Sequence, residues 1–208
     1  VVPGLEIPWS IVFEPDGTML ITERVGRVRE VKDGELVEKP LAVFDDINAF
    51  GEGGLMGLAL HPDYAENRLL YLSYSYPKDT AYVVRVVRYV RGAEGLSGET
   101  TIIDDIPAAR FHSGCRLAFG PDGKLYITTG DGLKRHLAQQ LGSLAGKTLR
   151  LNADGSVPGD NPFVGIDGAR PEIWSYGHRN AQGIDWDPQS GLMVQTEHGP
   201  SSFDGPPG

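Results

Sequence analysis

The sequence CRLAFGPDGKLYIT at residues 115–128 sets the pattern of the fold. An apolar segment leads into a Gly-Pro-Asp-Gly turn, and a second segment rich in apolar, aromatic and β-branched residues follows it. Proline presets φ at a turn and glycine accepts a left-handed dihedral angle, so the pattern predicts a β-hairpin.

The same order of strand, turn and strand occurs three more times. It is found at residues 9–22 (WSIVFEPDGTMLIT), 56–74 (MGLALHPDYAENRLLYLSY) and 182–195 (QGIDWDPQSGLMVQ). The turn prolines at positions 15, 62, 121 and 188 lie 47, 59 and 67 residues apart. Such a period, with room for several antiparallel strands in each unit, is typical of β-propeller blades.

We therefore expect an all-β chain with the architecture of a β-propeller. A β-sandwich also uses short strands, but its turns recur about every 8–12 residues without this longer period. Further strands are expected at residues 25–31 and 82–89, and one short helical segment around residues 136–144.

Composition excludes several classes of protein. There are 19 lysines and arginines against 28 acidic residues, with a net charge of −9 and no basic run, which argues against a nucleic-acid partner. We expect a soluble chain, since no apolar stretch approaches the ~18 residues of a membrane span. The single cysteine, Cys115, excludes an internal disulfide and a cysteine-based zinc site. The segment from Val1 has no signal-peptide pattern, so such a peptide is expected to be absent or already removed.

Polar residues lie at or just before the starts of three of the repeated strands. In a propeller these positions converge on the central channel, so together they predict a ligand site. Taken singly, each has a structural alternative. His112 and Asp131 could be turn residues, Arg179 could bridge two sheets, and Glu52 could be solvated. The Gly199–Pro200 pair could be a simple loop, and Cys115 is expected to be structural in a buried strand.

Seven segments distributed along the chain carry a family resemblance. They are GLEIPWS (4–10), GEGGLMGLALHP (51–62), FGPDGKLYITTGD (119–131), LAGK (144–147), DNPF (160–163), IWSYGHRN (173–180) and TEHGP (196–200). With these segments the sequence resembles the soluble pyrroloquinoline-quinone (PQQ) sugar dehydrogenases, the glucose/sorbosone dehydrogenase family, and within it the aldose sugar dehydrogenases. The family fold is a six-bladed propeller, which implies that residues 1–208 are one incomplete domain of about four blades.

The resemblance assigns roles to the candidate residues. His112 matches the general base that takes the proton of the sugar's anomeric hydroxyl, and Asp131 matches the carboxylate that orients it. Arg179 matches the arginine that faces the quinone oxygen and binds the cofactor. Further cofactor contacts are expected from Glu52, Asn180 and His198, and the main-chain carbonyls of Gly199 and Pro200 are expected to hold Ca²⁺.

The implied function is oxidation of the C1 hydroxyl of an aldose to the lactone by hydride transfer to PQQ, with Ca²⁺ polarising the quinone. An external electron acceptor and a periplasmic or extracellular location follow from the same resemblance. Two alternatives are a Ca²⁺-dependent propeller lactonase or other hydrolase and a non-catalytic binding module.

The sequence departs from the family pattern at two places. Phe111 precedes the histidine where some relatives have aspartate, and Ser113-Gly114-Cys115 replaces a polar residue and two glycines. Asp204 matches a family aspartate, but residues 205–207 (GPP) break the motif that should follow it. The cations that pair with the acidic quinone in later blades are not found, so the cofactor site is expected to be incomplete.

Overall fold

The computed structural model describes residues 2–47 and 49–201. Within them the strands form four antiparallel sheets that follow one another along the chain. The first sheet contains β1 (Pro8–Phe13), β2 (Met19–Glu23), β3 (Arg27–Lys32), β4 (Glu35–Leu36) and β5 (Ala42–Val43). The second contains β6 (Leu55–Leu60), β7 (Leu69–Lys78), β8 (Ala81–Arg91) and β9 (Leu96–Ala108).

The third and fourth sheets complete the described architecture. The third contains β10 (Leu117–Phe119), β11 (Leu125–Thr128), β12 (Lys147–Leu151) and β13 (Ile173–Tyr176). The fourth contains β14 (Ala181–Trp186) and β15 (Met193–Glu197). The all-β expectation and the four repeated hairpins are confirmed, because β1–β2, β6–β7, β10–β11 and β14–β15 each pair antiparallel.

Two of these hairpins close with the same turn. Between β10 and β11, the Gly123 N–H donates to the Gly120 carbonyl at 2.9 Å, and Asp122 Oδ1 accepts from the following main chain. Between β1 and β2, the Gly17 N–H donates to the Glu14 carbonyl at 2.9 Å, and Asp16 Oδ1 accepts in the same way. The shared hydrogen bonds give a physical reason for the repeated Pro-Asp-Gly sequence.

Helical structure is confined to two short segments of the described chain. These are α1 (Tyr64–Asn67) and a 3₁₀ helix at Arg135–Gln139. The predicted segment around residues 136–144 is therefore helical only in its first part. Neither segment has the length and apolar character that a membrane-crossing helix needs.

Two apolar clusters hold neighbouring sheets together. One joins the first and second sheets and includes Leu20, Leu58 and Leu70. The other joins the second and third sheets and includes Met56 and Ile127. Burial of such apolar surface is the main force that fixes neighbouring sheets against each other, and with them the loops at their ends.

Cys115 was expected in a buried strand, and this is wrong in part. The residue is fully buried in the second cluster, but it lies in the irregular segment before β10. Burial raises the pKa of the Cys115 thiol to about 12, so the reactive thiolate is not formed near neutral pH. The expected structural role of Cys115 is therefore kept.

The family match at Asp204 lies outside the described residues.

Lys147, at the start of β12, ties the 3₁₀ helix to the third sheet. Its side chain is fully buried, and its Nζ donates to the carbonyl oxygens of Leu137, Ala138 and Ala145 at 2.9, 2.9 and 2.6 Å. These three acceptors match the three N–H donors of an ammonium group, which offsets part of the cost of burying it. Burial still lowers the pKa of Lys147 from 10.5 to about 8.

Replacing Lys147 by Met should destabilise the protein and change its response to pH. The three carbonyls lose their donor, which should lower the free energy of unfolding at pH 7 by about 1–3 kcal/mol. Between pH 8 and 10.5, Lys147 is deprotonated in the folded parent protein but still protonated in the unfolded chain. The free energy of unfolding of the parent should therefore rise with pH relative to that of Lys147→Met. Urea unfolding of both proteins from pH 7 to 10.5 measures this difference, and a difference independent of pH would contradict the assignment.

Candidate active site

A buried histidine–aspartate pair lies at the centre of the candidate site. His112 belongs to the irregular segment before β10, and Asp131 follows β11. Their side chains are almost fully buried, and His112 Nδ1 lies 2.8 Å from Asp131 Oδ1. Since the carboxylate is the acceptor, Nδ1 carries the proton, and Nε2 is the acceptor nitrogen of the neutral ring.

The carboxylate of Asp131 is itself held in place. Its Oδ1 also accepts the N–H of Leu133 at 2.9 Å, and its own main-chain N–H donates to the carbonyl of Arg179 at 2.7 Å. The carboxylate is thereby fixed before it orients the imidazole, which is the arrangement needed to select one histidine tautomer.

His112 has an uncommon main-chain conformation. Its φ is 59°, in the left-handed region, which costs a non-glycine residue roughly 1–2 kcal/mol. Two hydrogen bonds flank this residue: its N–H donates to Glu52 Oε2 at 2.8 Å, and its carbonyl accepts from the N–H of Gly132 at 3.1 Å. The surrounding loops therefore determine the direction of the imidazole.

Gly130 allows the two partners to approach each other. A Cβ at this position would lie 1.9 Å from the His112 carbonyl oxygen, which no side chain can tolerate. The same residue forms an isolated β-bridge with Asn180, and this bridge brings the third and fourth sheets together at the site. Glycine is thus required by close main-chain approach.

Asn180 and Glu52 link three loops. The Asn180 side chain is buried, with Oδ1 accepting from the N–H of Gly114 and Nδ2 donating to Glu52 Oε2, both at 3.2 Å. Both ends of the predicted cofactor-binding amide are therefore engaged within the protein, although the residue also borders the cavity.

Arg179, the residue before Asn180, supplies a cation to the candidate site. Its Nη1 donates to the carbonyl of His198 at 3.1 Å, and its Nη2 lies 3.4 Å from Ser201 Oγ. The N–H of His198 in turn donates to the carbonyl of Asn180 at 3.1 Å. The half-buried guanidinium is thus attached to the segment that carries Gly199 and Pro200.

The predicted residues meet at one cavity of about 390 Å³. Its lining includes Glu52, His112, Arg179, Asn180, His198 and Gly199. Asp131 is placed behind His112 rather than at the cavity surface, as expected of an orienting residue. Pro200 follows Gly199 in the chain and is not part of the lining.

Three further residues line the cavity and were not predicted as site residues: Phe111, Leu133 and Ser201. Phe111 and Leu133 are large apolar side chains that are 40% and 41% exposed. Phe111 could have been identified from the sequence, because it is an apolar residue beside the histidine where some relatives have aspartate. Leu133 could not, because its position depends on the turn after Asp131. The two side chains contribute apolar surface to a cavity that also has polar lining groups.

Side chains alone do not make a metal centre here. Within residues 2–47 and 49–201 no three histidine, cysteine, aspartate or glutamate side chains come together as metal ligands. A cation at this cavity would therefore depend on main-chain oxygens, and these are the ligand type predicted at Gly199 and Pro200.

The chain is similar to known proteins over nearly its whole length. The family model for glucose/sorbosone dehydrogenase matches residues 5–205. Aldose sugar dehydrogenase YliI of Escherichia coli is 41% identical, over 96% of this chain and 56% of that protein. Quinoprotein glucose dehydrogenase B of Acinetobacter calcoaceticus is 32% identical, over 98% of this chain and 48% of that protein.

Solved structures agree with the sequence comparison. The PQQ-bound aldose sugar dehydrogenase of Streptomyces coelicolor superposes with a TM-score of 0.85 at 34% identity, covering 96% of this chain and 59% of that structure. The chain spans about half the length of the curated relatives it matches.

Replacing Gly130 by Ala tests the packing of the site. The new Cβ would collide with the His112 carbonyl, so we expect the His112–Asp131 hydrogen bond to lengthen and stability to fall by about 1–3 kcal/mol. A crystal structure and a urea titration of the variant measure both effects.

Gly159→Ala is the matched control, because a Cβ there meets no atom within 4 Å. A Gly130→Ala protein with parental stability and an unchanged His112–Asp131 distance would refute the proposed close approach.

Proposed function

The chain belongs to the glucose/sorbosone dehydrogenase family, and we propose that its site oxidises the C1 hydroxyl of an aldose to the lactone with PQQ as oxidant. The observation that carries the proposal is the buried His112–Asp131 hydrogen bond at a cavity that also holds the Arg179 guanidinium. A base at the cavity can take the proton of the alcohol, and a cation at the same cavity can stabilise the negative charge that forms on the hydride acceptor.

His112 acts as the general base. With Nδ1 donating to Asp131, Nε2 accepts the proton of the C1 hydroxyl as the C1–H bond breaks and the C1=O bond forms. The carboxylate of Asp131 keeps the ring in this tautomer and stabilises the imidazolium that results. PQQ, when bound, supplies the two-electron oxidant that receives the hydride from C1.

Arg179 fits an acidic quinone. A guanidinium that lines the cavity can pair with a carboxylate of the cofactor and stabilise negative charge on an oxygen close to it. Its hydrogen bond to the His198 carbonyl limits its freedom, so this stabilisation needs little reorganisation. His198 and Asn180 border the same region and are proposed as further contacts.

Calcium is proposed at the segment after β15. The main-chain carbonyls of Gly199 and Pro200 offer the hard oxygen donors that Ca²⁺ prefers, and Ca²⁺ bound there would act as a Lewis acid on the quinone. Gly199 borders the cavity beside Arg179, which is consistent with a metal close to the cofactor.

The remaining parts of the proposal concern the whole protein. We propose that the four antiparallel sheets are successive blades of a six-bladed propeller. An external acceptor would reoxidise the cofactor, and the location would be periplasmic or extracellular. These points rest on the family relation.

The two alternatives have less support. A calcium-dependent lactonase needs a set of side-chain metal ligands, and the described residues bring no such set together. A non-catalytic module has no need of a buried histidine aligned by a buried aspartate at a cavity.

We expect the full-length protein to reduce a redox dye in the presence of glucose once PQQ and Ca²⁺ have been added. Omission of PQQ should remove the activity, because the chain's own residues supply a base and a cation but no oxidant. Omission of Ca²⁺ should also remove it, because the proposed Lewis acid is lost. Dye reduction is followed spectrophotometrically, and quinone absorbance reports binding. Absence of both a rate and an absorbance change would reject the proposal.

His112→Ala should lower turnover by about 10²–10⁴-fold while PQQ affinity is retained, because the base is lost and the cation remains. Steady-state kinetics and quinone titration measure the two quantities. His136→Ala is the matched control, since this histidine is exposed and lies in the 3₁₀ helix outside the cavity lining. Equal losses of turnover and of PQQ affinity in His112→Ala would disprove the assigned role.

A further inference from the structure

Glu52 reaches the site from a different sheet than the residues it contacts. It precedes β6 of the second sheet, whereas His112 precedes β10 of the third and Asn180 precedes β14 of the fourth. A single oxygen, Oε2, accepts the main-chain N–H of His112 at 2.8 Å and the side-chain N–H of Asn180 at 3.2 Å. The carboxylate therefore joins the two loops that carry the base and the cation.

These contacts form a closed ring of hydrogen bonds. Asn180 Oδ1 accepts the N–H of Gly114, two residues after His112, so the segment from 112 to 114 is held at both ends. The main-chain N–H of Glu52 also donates to the carbonyl of Arg110 at 2.8 Å. The 110–114 segment is thus fixed to Glu52 and Asn180 on both sides of the histidine.

The loop that carries Glu52 is held by contacts within the protein. The Arg24 guanidinium donates to the carbonyl of Gly53 at 3.0 Å and also to the carbonyl of Gly51. Gly51 has φ of 61°, and a Cβ there would lie 1.9 Å from the Arg110 carbonyl oxygen. Contacts within the protein therefore hold the main chain on both sides of Glu52.

Charge argues against Glu52 as a simple cofactor contact. An acidic side chain at the cavity repels an acidic quinone, in a chain whose net charge is already −9. The two N–H donors on Oε2 give the carboxylate a different use, since hydrogen bonds to an ionised acceptor are stronger than those to a neutral one.

We propose that Glu52 is a positioning residue for His112. It holds the left-handed main chain at His112 and the amide of Asn180, so that the imidazole stays aligned on Asp131. This inference rests on the proposed function for its kinetic consequence, but the structural part stands on the hydrogen bonds alone.

The test compares Glu52→Ala and Glu52→Gln with the parent. The structural readout is hydrogen exchange of the His112 amide, followed by ¹H–¹⁵N NMR. Loss of the acceptor in Glu52→Ala should speed this exchange by at least about tenfold. Glutamine keeps a carbonyl acceptor, so exchange in Glu52→Gln should lie between the two.

The kinetic measurements distinguish a role of Glu52 in positioning His112 from a direct contact between Glu52 and PQQ. Displacement of the base should lower kcat by about 10–100-fold in Glu52→Ala, and Glu52→Gln should recover most of it. PQQ affinity should stay the same or increase, because a negative charge has been removed from the cavity. Glu66→Ala is the matched control, since this exposed glutamate lies in α1.

The possible results distinguish the inference from the function on which it rests. Unchanged exchange at His112 in Glu52→Ala would overturn the inference, and so would weaker PQQ binding with an unchanged kcat. Exchange of core amides such as that of Leu70 shows whether the variant is folded, and Glu52→Gln supplies the comparison if Glu52→Ala is not. A parent without turnover would contradict the proposed function, while the exchange data would still decide the role of Glu52.

Discussion

The hydrogen bond between His112 Nδ1 and Asp131 Oδ1, 2.8 Å long and almost fully buried, is the contact on which the candidate site depends. It determines which ring nitrogen can accept a proton, and it is possible only because Gly130 has no side chain to displace the His112 carbonyl. A buried polar pair is favourable only when its geometry is good and its remaining groups are satisfied, so the surrounding loops are constrained as well.

Those constraints come from separate sheets. Glu52 enters from the second sheet, Asp131 and His112 from the third, and Arg179 and Asn180 from the connection to the fourth. Apolar clusters between the sheets fix their relative positions, and short hydrogen bonds between their loops set the final geometry. The chemistry thus depends on packing that lies far from the cavity, because a small displacement of one sheet would move the base relative to the cation.

The sequence predicted the hairpins and most of the residues that line the cavity. Proline, aspartate and glycine at a turn determine local structure, and the repeat places His112 and Arg179 at equivalent strand starts that meet in space. Other features depend on contacts between distant parts of the chain. The 13-residue strand β9 has no alternating pattern. Two of the carbonyl groups that accept from Lys147 lie in the 3₁₀ helix and the third lies in the loop before β12, and main-chain acceptors leave no mark on the sequence. The ring through Glu52 joins residues up to 128 positions apart.

The tautomer of His112 is the most direct test of this account. The ¹⁵N chemical shifts of the two ring nitrogens, measured in the resting protein near neutral pH, report which nitrogen carries the proton. The hydrogen bond to Asp131 requires a protonated Nδ1, and the role of His112 as a base requires an unprotonated Nε2. A neutral ring with its proton on Nε2 would contradict the role of Asp131 and with it the assignment of His112 as the base.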